Sequence, residues 1–389
     1  MIHQLLEQAD RRAGIDARRA LLRFLNGIEW LVRDPKTVVG RTPYQSILRQ
    51  GKLEVRRYNL GSVKLRYATP VVLVPPLMVK PFIYDLFPGR SLVEFLLEHG
   101  FQPYVVDFGE PDEADHLVRL DQYVLDWLPA ACAAVRADAK VEDLTLLGYC
   151  MGGVFCLMYV AAHRDTKVRN LVCIATPIDM NKMGLLAWVA KLAGRQVETL
   201  ARQIGNVPGG LSSTAFRLLT PVKNVTRYTD FFLNLWNHEY VLGFEAMNQW
   251  VSQFIDYPRD AFVQFTRDFM QQNKLARGQL TLGGRAVHLR EVRCSLLVFA
   301  GKSDQVAPPA SVRALMDKVG SQDKTFSLVP AGHMGILAGA NAPKLVWQPM
   351  VQWLSARSQK VTVPAVRRLS GQRTQRSAEP AKRRAAGAN

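Results

Sequence analysis

The stretch LTLLGYCMGGVFCLMYVAAH, residues 144–163, places a cysteine among glycines inside an apolar run. Its first residues favour a β-strand, whereas the residues after the glycines favour a helix. The run from Leu144 to Ala162 carries no charge and is long enough to cross a membrane, but its three glycines and the β-type residues before them argue against a span. As strand, tight turn and helix, the stretch has the pattern G-x-C-x-G with Cys150 at its centre.

The spacing around Cys150 suits a nucleophile held on a sharp turn. The central residue of such a turn has a strained backbone, and the residues two positions away must lack side chains for the turn to close. Cys150 would then lie at a helix N-terminus, where exposed N–H groups favour the thiolate over the thiol. The N–H of Met151 would face a developing oxyanion. The pattern alone is a weak signal, because a buried cysteine in a glycine-rich turn has the same spacing.

Two later loops supply partners for the cysteine in the chain order nucleophile, acid, histidine. The strand-like run SLLVFA is followed by GKSDQVAPP, which contains Asp304, and TFSLV is followed by PAGHMGILAG, which contains His333. Functional groups of a parallel sheet gather at the carboxyl ends of its strands. We therefore predict a catalytic triad of Cys150, Asp304 and His333. The early loop PPLMVK is predicted to supply a second oxyanion donor, and Met78 is favoured because prolines have no N–H.

Short β-branched runs alternate with helical patterns along most of the chain, which predicts an α/β fold with a mostly parallel sheet flanked by helices. The alternation stops between Thr176 and about Arg293, where the pattern is helical and residues 228–270 are rich in aromatics. Part of this insert, residues 176–293, can be a separately packed helical core. Its place before the strand that carries Asp304 favours a cap over an apolar pocket.

The 389 residues carry a net charge of +17, and the charge is unevenly placed. We predict an N-terminal segment of two amphipathic helical pieces (residues 1–40), a catalytic domain (41–355) and a disordered tail (356–389). The tail has nine Lys or Arg residues against the single acid Glu379, so it either attracts an anionic partner or keeps the protein in solution. A partner helix could also pack on the N-terminal segment.

The cysteines and the glycines exclude several classes of site. The five cysteines show no metal-ligand spacing, and an odd number without a secretion signal predicts reduced thiols in the cytoplasm. Neither a dinucleotide fingerprint nor a phosphate-binding loop is present, so neither a dinucleotide nor a nucleoside triphosphate is implied. We expect no metal and no resident cofactor.

From about Asp34 to Leu354 the chain resembles the polyhydroxyalkanoate synthases, an α/β-hydrolase family, and most closely the catalytic subunit of the two-subunit class III type. The stretches that carry the resemblance include TPVVLVPPLMVKPFIYDLFPGRSLVEFLLEHGF, YVVDFGEPDEAD, LLGYCMGG, NLVCIATPIDM, GNVPGG, FMQQNKL and AGHMGI. Lys80 departs from the pattern, since many relatives have asparagine there. The tail and most of the first thirty residues lie outside the resemblance.

The resemblance implies an acyltransferase that polymerises (R)-3-hydroxyacyl-CoA into polyester and releases CoA, which is a product and not a cofactor. It implies that Cys150 carries the growing chain as a thioester and that His333 activates the thiol. Asp304 then orients His333 or helps to activate the incoming 3-hydroxyl. It further implies association with polyester granules in the cytoplasm, a homodimer, and a second synthase subunit as a possible partner. No specific nucleic acid is expected.

Two other functions fit the same residues. A cysteine-dependent hydrolase, either an acyl-CoA thioesterase or an intracellular polyester depolymerase, would use the same triad with water as the acceptor. A water-excluding aromatic cap favours transfer over hydrolysis. A granule-surface scaffold would need no triad at all, so the three residues together argue against it.

Overall fold

The structure, a computed structural model, describes residues 2–32, 39–59, 61, 63–218 and 221–361. Residues 362–389, most of the predicted tail, lie outside the described residues. So do residues 33–38 of the predicted N-terminal segment.

In the described part of the chain, ten strands build two sheets. They are β1 (Tyr44–Gln50), β2 (Leu53–Tyr58), β3 (Val71–Val74), β4 (Pro103–Asp107), β5 (Leu144–Tyr149), β6 (Val168–Ile174), β7 (Leu280–Leu282), β8 (Arg285–Val287), β9 (Ser295–Gly301) and β10 (Lys324–Val329). The main sheet has eight strands in the order β1-β2-β4-β3-β5-β6-β9-β10. Neighbours from β4 to β10 pair in parallel, whereas β1–β2 and β2–β4 pair antiparallel.

The α-helices connect and cover these strands. They are α1 (Ile2–Val32), α2 (Leu92–Glu98), α3 (Leu120–Gln122), α4 (Leu128–Ala139), α5 (Met151–His163), α6 (Leu185–Ile204), α7 (Gly209–Leu218), α8 (Pro221–Asn234), α9 (His238–Ser252), α10 (Arg259–Gln264), α11 (Lys274–Arg277), α12 (Pro309–Arg313), α13 (His333–Ala338) and α14 (Gln348–Ser355). Wider π-helical turns occupy Tyr123–Trp127, Phe265–Gln271 and Pro343–Trp347.

The strand before the cysteine lies in the middle of the sheet. All six residues of β5 are buried, as expected of a parallel strand that is covered on both faces. Helix α5 follows with only one intervening residue, Cys150, and eleven of its thirteen residues are buried. The apolar length that could have suggested a membrane span is therefore the core of the domain. No helix in the described part of the chain is long and apolar enough to cross a membrane.

The antiparallel strands β1 and β2 were not predicted, because they contain no short run of β-branched residues. In β2 apolar residues alternate with charged ones, and the charged side chains form ion pairs. The Arg56 guanidinium binds Asp107 Oδ2 of β4 at 2.5 Å and Glu54 Oε2 at 2.7 Å. A tight turn joins the two strands at Gly51, whose φ of 57° suits glycine.

The N-terminal segment is one continuous helix, α1, and not the two pieces that were predicted. Its side chains reach the insert. Asn26 Nδ2 donates to the Leu235 carbonyl at 2.6 Å, and the Arg19 guanidinium lies 4.7 Å from the centre of the Trp236 ring.

The insert between β6 and β9 holds helices α6 to α11, and it ends in the β7–β8 hairpin that the helical pattern did not predict. Its apolar and aromatic residues divide into two groups. Phe231, Leu235 and Val241 form a small core of their own with Tyr240 and Phe244, whereas Trp250, Phe254, Tyr257 and Phe269 join the main core. The separately packed helical core is therefore present for one part of the stretch, and the cap over an apolar pocket stays a prediction.

The end of the insert is tied to the loop after β6 by Asn273 of the FMQQNKL stretch. Its Oδ1 accepts from the Met180 N–H at 3.0 Å, and its Nδ2 donates to Asp179 Oδ1 at 2.8 Å. Its φ of 49° lies in the left-handed region, which asparagine tolerates better than most residues. This motif thus fixes both ends of the insert to each other.

Candidate active site

The backbone at Cys150 is strained, as the glycine spacing predicts. Cys150 has φ 53° and ψ −120° and caps the N-terminus of α5. Its N–H donates to the Ile174 carbonyl of β6 at 2.8 Å, and its side chain is half-buried. Non-glycine residues persist in such a conformation only where the surrounding structure imposes it, and they concentrate at active sites.

Each glycine around Cys150 is required by a close neighbour. A Cβ on Gly148 would lie 2.3 Å from Gly153 Cα, one on Gly152 would lie 2.0 Å from the Val74 carbonyl oxygen, and one on Gly153 would lie 2.0 Å from Thr176 Oγ1. The turn therefore packs directly between the ends of β3 and β6. This contact brings the loop after β3, which carries Met78, against the first turn of α5.

The structure brings Asp304 and His333 together at the carboxyl ends of β9 and β10. His333 Nδ1 lies 2.8 Å from Asp304 Oδ2, and both side chains are buried. The other carboxylate oxygen, Asp304 Oδ1, accepts from the N–H groups of Val306 and Ala307 at 2.9 and 2.8 Å. The carboxylate is thus held on both oxygens, and it orients the imidazole so that Nε2 is free for another partner.

The Cys150 side chain interacts with the His333 ring. Burial by itself lowers the pKa of His333, but the charges of Cys150 and Asp304 and hydrogen bonds to both side chains outweigh it and raise that pKa to about 10. A thiolate next to an imidazolium is the reactive state of a cysteine nucleophile.

The other cysteines differ from Cys150 in their surroundings. Burial is the main cause of their raised pKa values. The pKa of Cys132 and that of Cys294 rise to about 12, and the pKa of Cys156 rises well above its usual range. Burial likewise raises the pKa of Cys173. These thiols are small core residues with little thiolate at neutral pH.

Two buried tyrosines hold the walls of the site, and the sequence reading did not single them out. The Tyr149 hydroxyl donates to the His333 carbonyl at 3.1 Å, and the Tyr84 hydroxyl donates to the Val74 carbonyl at 2.8 Å. Tyr149 thus links the residue before the nucleophile to the backbone of the histidine. Its position next to Cys150 in the sequence is the one signal that could have suggested this role.

The two predicted oxyanion donors lie on the segments that meet at the elbow. Met151 is the first residue of α5, so its N–H has no acceptor within the helix. Met78 lies in the turn after β3 with φ 59°, and its carbonyl accepts from the Ile255 N–H at 3.0 Å. Their roles as oxyanion donors stay predictions. Lys80, the departure from the family pattern, pairs with Glu110 Oε1 at 2.7 Å.

Two aromatic side chains of the insert lie next to residues of the site. The Phe216 ring of α7 lies 6.2 Å from the His333 ring and 5.6 Å from the Phe254 ring, measured between centroids. The Tyr257 hydroxyl lies 3.6 Å from Met151 Sδ. These contacts place aromatic side chains of the insert next to His333 and next to the first turn of α5. The cap over an apolar pocket stays a prediction. Among the described residues, no three His, Cys, Asp or Glu side chains are grouped so that they could hold a metal ion.

Comparison with known proteins identifies the family. Residues 70–340 match the family model of the alpha/beta hydrolase fold. The chain is 34% identical over 327 residues to the poly(3-hydroxyalkanoate) polymerase subunit PhaC of Haloferax mediterranei, a match that covers 83% of this chain and 66% of that protein. It is 31% identical to the subunit PhaC of Thiocystis violacea, over 85% of this chain and 93% of that protein. The chain belongs to the poly(3-hydroxyalkanoate) polymerases.

Membership of this polymerase family makes the chain an enzyme and an acyltransferase, as the sequence resemblance implied. The narrower class III assignment stays a prediction. A solved structure of a monoglyceride lipase variant from Saccharomyces cerevisiae aligns with a TM-score of 0.50 at 15% identity, covering 84% of this chain and 99% of that one. This likeness confirms the α/β-hydrolase fold.

Proposed function

We propose that this chain polymerises (R)-3-hydroxyacyl-CoA into polyester through an acyl thioester on Cys150. The observation that carries the proposal is the arrangement of Cys150 at the strained elbow next to a His333–Asp304 pair joined at 2.8 Å. The polymerase relatives support the substrate class.

In the first step the Cys150 sulfur attacks the thioester carbonyl carbon of the acyl-CoA. A C–S bond forms, and the carbonyl oxygen becomes an oxyanion that the N–H groups of Met151 and Met78 would stabilise. The tetrahedral carbon then expels the CoA sulfur, which takes the proton held on His333. The acyl group is left on Cys150, and CoA leaves as a product, so the proposal includes no resident cofactor.

In the second step a 3-hydroxyl group attacks the acyl–Cys150 carbonyl. His333 removes the hydroxyl proton, an ester C–O bond forms, and the C–S bond to Cys150 breaks. His333 keeps the proton, and the thiolate–imidazolium pair is restored. When the hydroxyl belongs to a second acyl-CoA, the lengthened chain re-enters the first step, and one CoA is released for each ester formed.

The choice between a hydroxyl and water as acceptor depends on the insert. The Phe216 ring of the insert lies 6.2 Å from the His333 ring, and an apolar cover of this kind would exclude water from the thioester. A hydrolase would use the same three residues, so hydrolysis is the outcome that the test must separate from transfer.

The proposal extends to the setting of the reaction. We propose a cytoplasmic enzyme on the surface of its own polyester, assembled as a homodimer, with a second synthase subunit as a further partner. Exposed apolar side chains on α6, Trp188, Leu192 and Leu200, offer a surface for such contacts.

The test uses the full chain with (R)-3-hydroxybutyryl-CoA, and it measures CoA release together with the mass of the acyl product. The Cys150→Ala variant is the control. CoA release with high-mass polyester supports the synthase. CoA release with free 3-hydroxybutyrate contradicts transfer and favours the hydrolase, and equal activity of the Cys150→Ala variant contradicts the thioester mechanism.

A further inference from the structure

The segment 255–257 of the insert contacts both of the predicted oxyanion donors. The Ile255 N–H donates to the Met78 carbonyl at 3.0 Å, and two residues later the Tyr257 hydroxyl lies 3.6 Å from Met151 Sδ. The backbone of Tyr257 is fixed by two hydrogen bonds to Val207, each 2.9 Å long. The Tyr257 hydroxyl is therefore held above the first turn of α5, next to the space in which an acyl group on Cys150 must lie.

The hydroxyl of Tyr257 differs from those of the two other buried tyrosines near Cys150. Tyr84 and Tyr149 each donate to a backbone carbonyl oxygen, at 2.8 and 3.1 Å. Tyr257 is only 2% exposed, yet the partner within reach of its hydroxyl is a thioether sulfur. A thioether is a weak acceptor, and a buried phenol normally has an oxygen or nitrogen partner. The strong donor of Tyr257 is thus left for a stronger acceptor.

We propose that the Tyr257 hydroxyl donates a hydrogen bond to the oxygen at C3 of the acyl group, and that this contact selects 3-hydroxyacyl over unsubstituted acyl substrates. The inference rests on the proposed function. The carbonyl oxygen of the acyl group points towards the N–H of Met151, below the insert. The C3 oxygen lies two carbons further along the chain, where Tyr257 approaches from the insert side.

The contact also suits the chemistry at C3. Tyr257 acts only as a donor, so it can bind the C3 oxygen both as the free hydroxyl of a first unit and as the ester oxygen of a lengthened chain. The hydroxyl that loses its proton to His333 belongs to the incoming acyl-CoA. A pocket built to hydrogen-bond a substrate hydroxyl discriminates against the analogue that lacks it, because the polar group of the protein is then left unpaired.

Binding to a Cys150→Ala background tests the contact without any turnover. Calorimetry gives the Kd of (R)-3-hydroxybutyryl-CoA and of butyryl-CoA for this protein and for the double variant that also carries Tyr257→Phe. We expect the hydroxyl to improve binding by about tenfold in the Cys150→Ala protein, the effect of one neutral hydrogen bond. The Tyr257→Phe exchange should remove that advantage and leave the Kd of butyryl-CoA within about twofold.

A matched control removes a tyrosine hydroxyl elsewhere. The Tyr104 hydroxyl donates to Asp138 Oδ2 at 2.6 Å, between β4 and α4 and away from the elbow. The Cys150→Ala, Tyr104→Phe protein should keep the tenfold preference. The inference is overturned if the preference survives Tyr257→Phe, if both ligands weaken equally, or if the Cys150→Ala protein shows no preference. Failure of the proposed function, by contrast, would show as normal binding without acyl transfer in the unmodified chain.

Discussion

At the scale of the residue, the site depends on a cysteine held in a conformation that suits glycine. Cys150 has φ 53° and ψ −120°, and a residue with a Cβ in this conformation costs about 1–3 kcal/mol. The packed ends of β3 and β6 hold the backbone in this conformation. The turn holds the half-buried sulfur at the N-terminus of α5.

This strain predicts that Cys150→Ala and Cys150→Gly differ in stability. Both variants lose the thiol and its interaction with His333, but only Cys150→Ala keeps the Cβ and the strain. Cys150→Gly removes the Cβ and should be more stable than Cys150→Ala by about 1 kcal/mol. Thermal melting of both proteins measures the difference. A Cys150→Gly protein less stable than Cys150→Ala would show that the turn is not strained.

The raised pKa of His333 predicts how its contribution to stability depends on pH. Its pKa rises from 6.5 to about 10 on folding, so the folded protein holds the proton more tightly than the unfolded chain does. The resulting stabilisation is complete below about pH 6.5 and is lost as pH rises through about 10. Denaturant unfolding should therefore show that the unmodified protein has a higher free energy of unfolding than His333→Gln at low pH. This difference should narrow as the pH rises from about 6.5 to about 10.

Asp304→Asn provides the comparison for this pH dependence. The amide keeps the shape of the side chain but removes the negative charge and the acceptor that raise the pKa of His333. The stabilisation from His333 should then disappear at a lower pH than in the unmodified protein. The free energy of unfolding that His333 contributes is measured with and without Asp304→Asn. If this contribution stays constant from about pH 6 to about pH 10 in both proteins, the charge pairing at the site is contradicted.

At the scale of the element, the strand–turn–helix unit could be predicted because its requirements are local. A β-type run, glycines at fixed positions and an apolar helix identify β5, the elbow and α5 without any knowledge of their neighbours. The edge strands β1 and β2 could not be recognised in this way. Their charged residues are stabilised by partners distant in sequence, such as Arg56 with Asp107 of β4.

The two glycines after the nucleophile predict different responses to substitution. A Cβ on Gly152 would meet the Val74 backbone oxygen at 2.0 Å, whereas a Cβ on Gly153 would meet the Thr176 side chain at the same distance. Gly152→Ala should cost about 3 kcal/mol or prevent folding. Gly153→Ala should cost about as much alone but recover part of the loss when combined with Thr176→Ala, because the obstructing hydroxyl is then gone.

Urea unfolding of the single and double variants measures this coupling. Gly152→Ala with Thr176→Ala serves as the control and should show no recovery. Equal recovery for both glycines, or for neither, would contradict the packing of the elbow described above.

At the scale of the whole molecule, the sequence predicted the layered α/β fold, and it predicted that Asp304 and His333 follow neighbouring strands, where the structure joins them at 2.8 Å. It could not predict how the insert approaches the site, since the contacts of Phe216 and Tyr257 join segments far apart in the chain. The sequence also failed to predict the contacts of the last described residues. A basic composition predicted a tail from residue 356, yet residues 356–361 pack on the domain.

The contacts of residues 356–361 predict different outcomes for two truncations. Arg357 pairs with Asp323 at 2.7 Å, the Gln359 N–H donates to Thr69 Oγ1 at 3.0 Å, and Lys360 pairs with Tyr67 in a β-bridge. A chain that ends at Ser355 should lose about 1–3 kcal/mol of stability. A chain that ends at Val361 keeps all these contacts and should melt like the full chain.

Turnover of the two truncated proteins is expected to follow their folding, because neither cut removes a residue of the site. Melting temperature and CoA release are measured on the same samples. Loss of turnover in a fully folded chain that ends at Val361 would assign the removed residues a part in the reaction.

The most direct test of the central claim is to trap the acyl group on Cys150. The full chain is mixed with one equivalent of (R)-3-hydroxybutyryl-CoA and quenched in acid, and the modified residue is located by peptide mass spectrometry. We predict a 3-hydroxybutyryl thioester on Cys150, its absence in Cys150→Ala, and much slower formation in His333→Gln. An acyl group on another residue, or CoA release that continues in Cys150→Ala, would contradict the account.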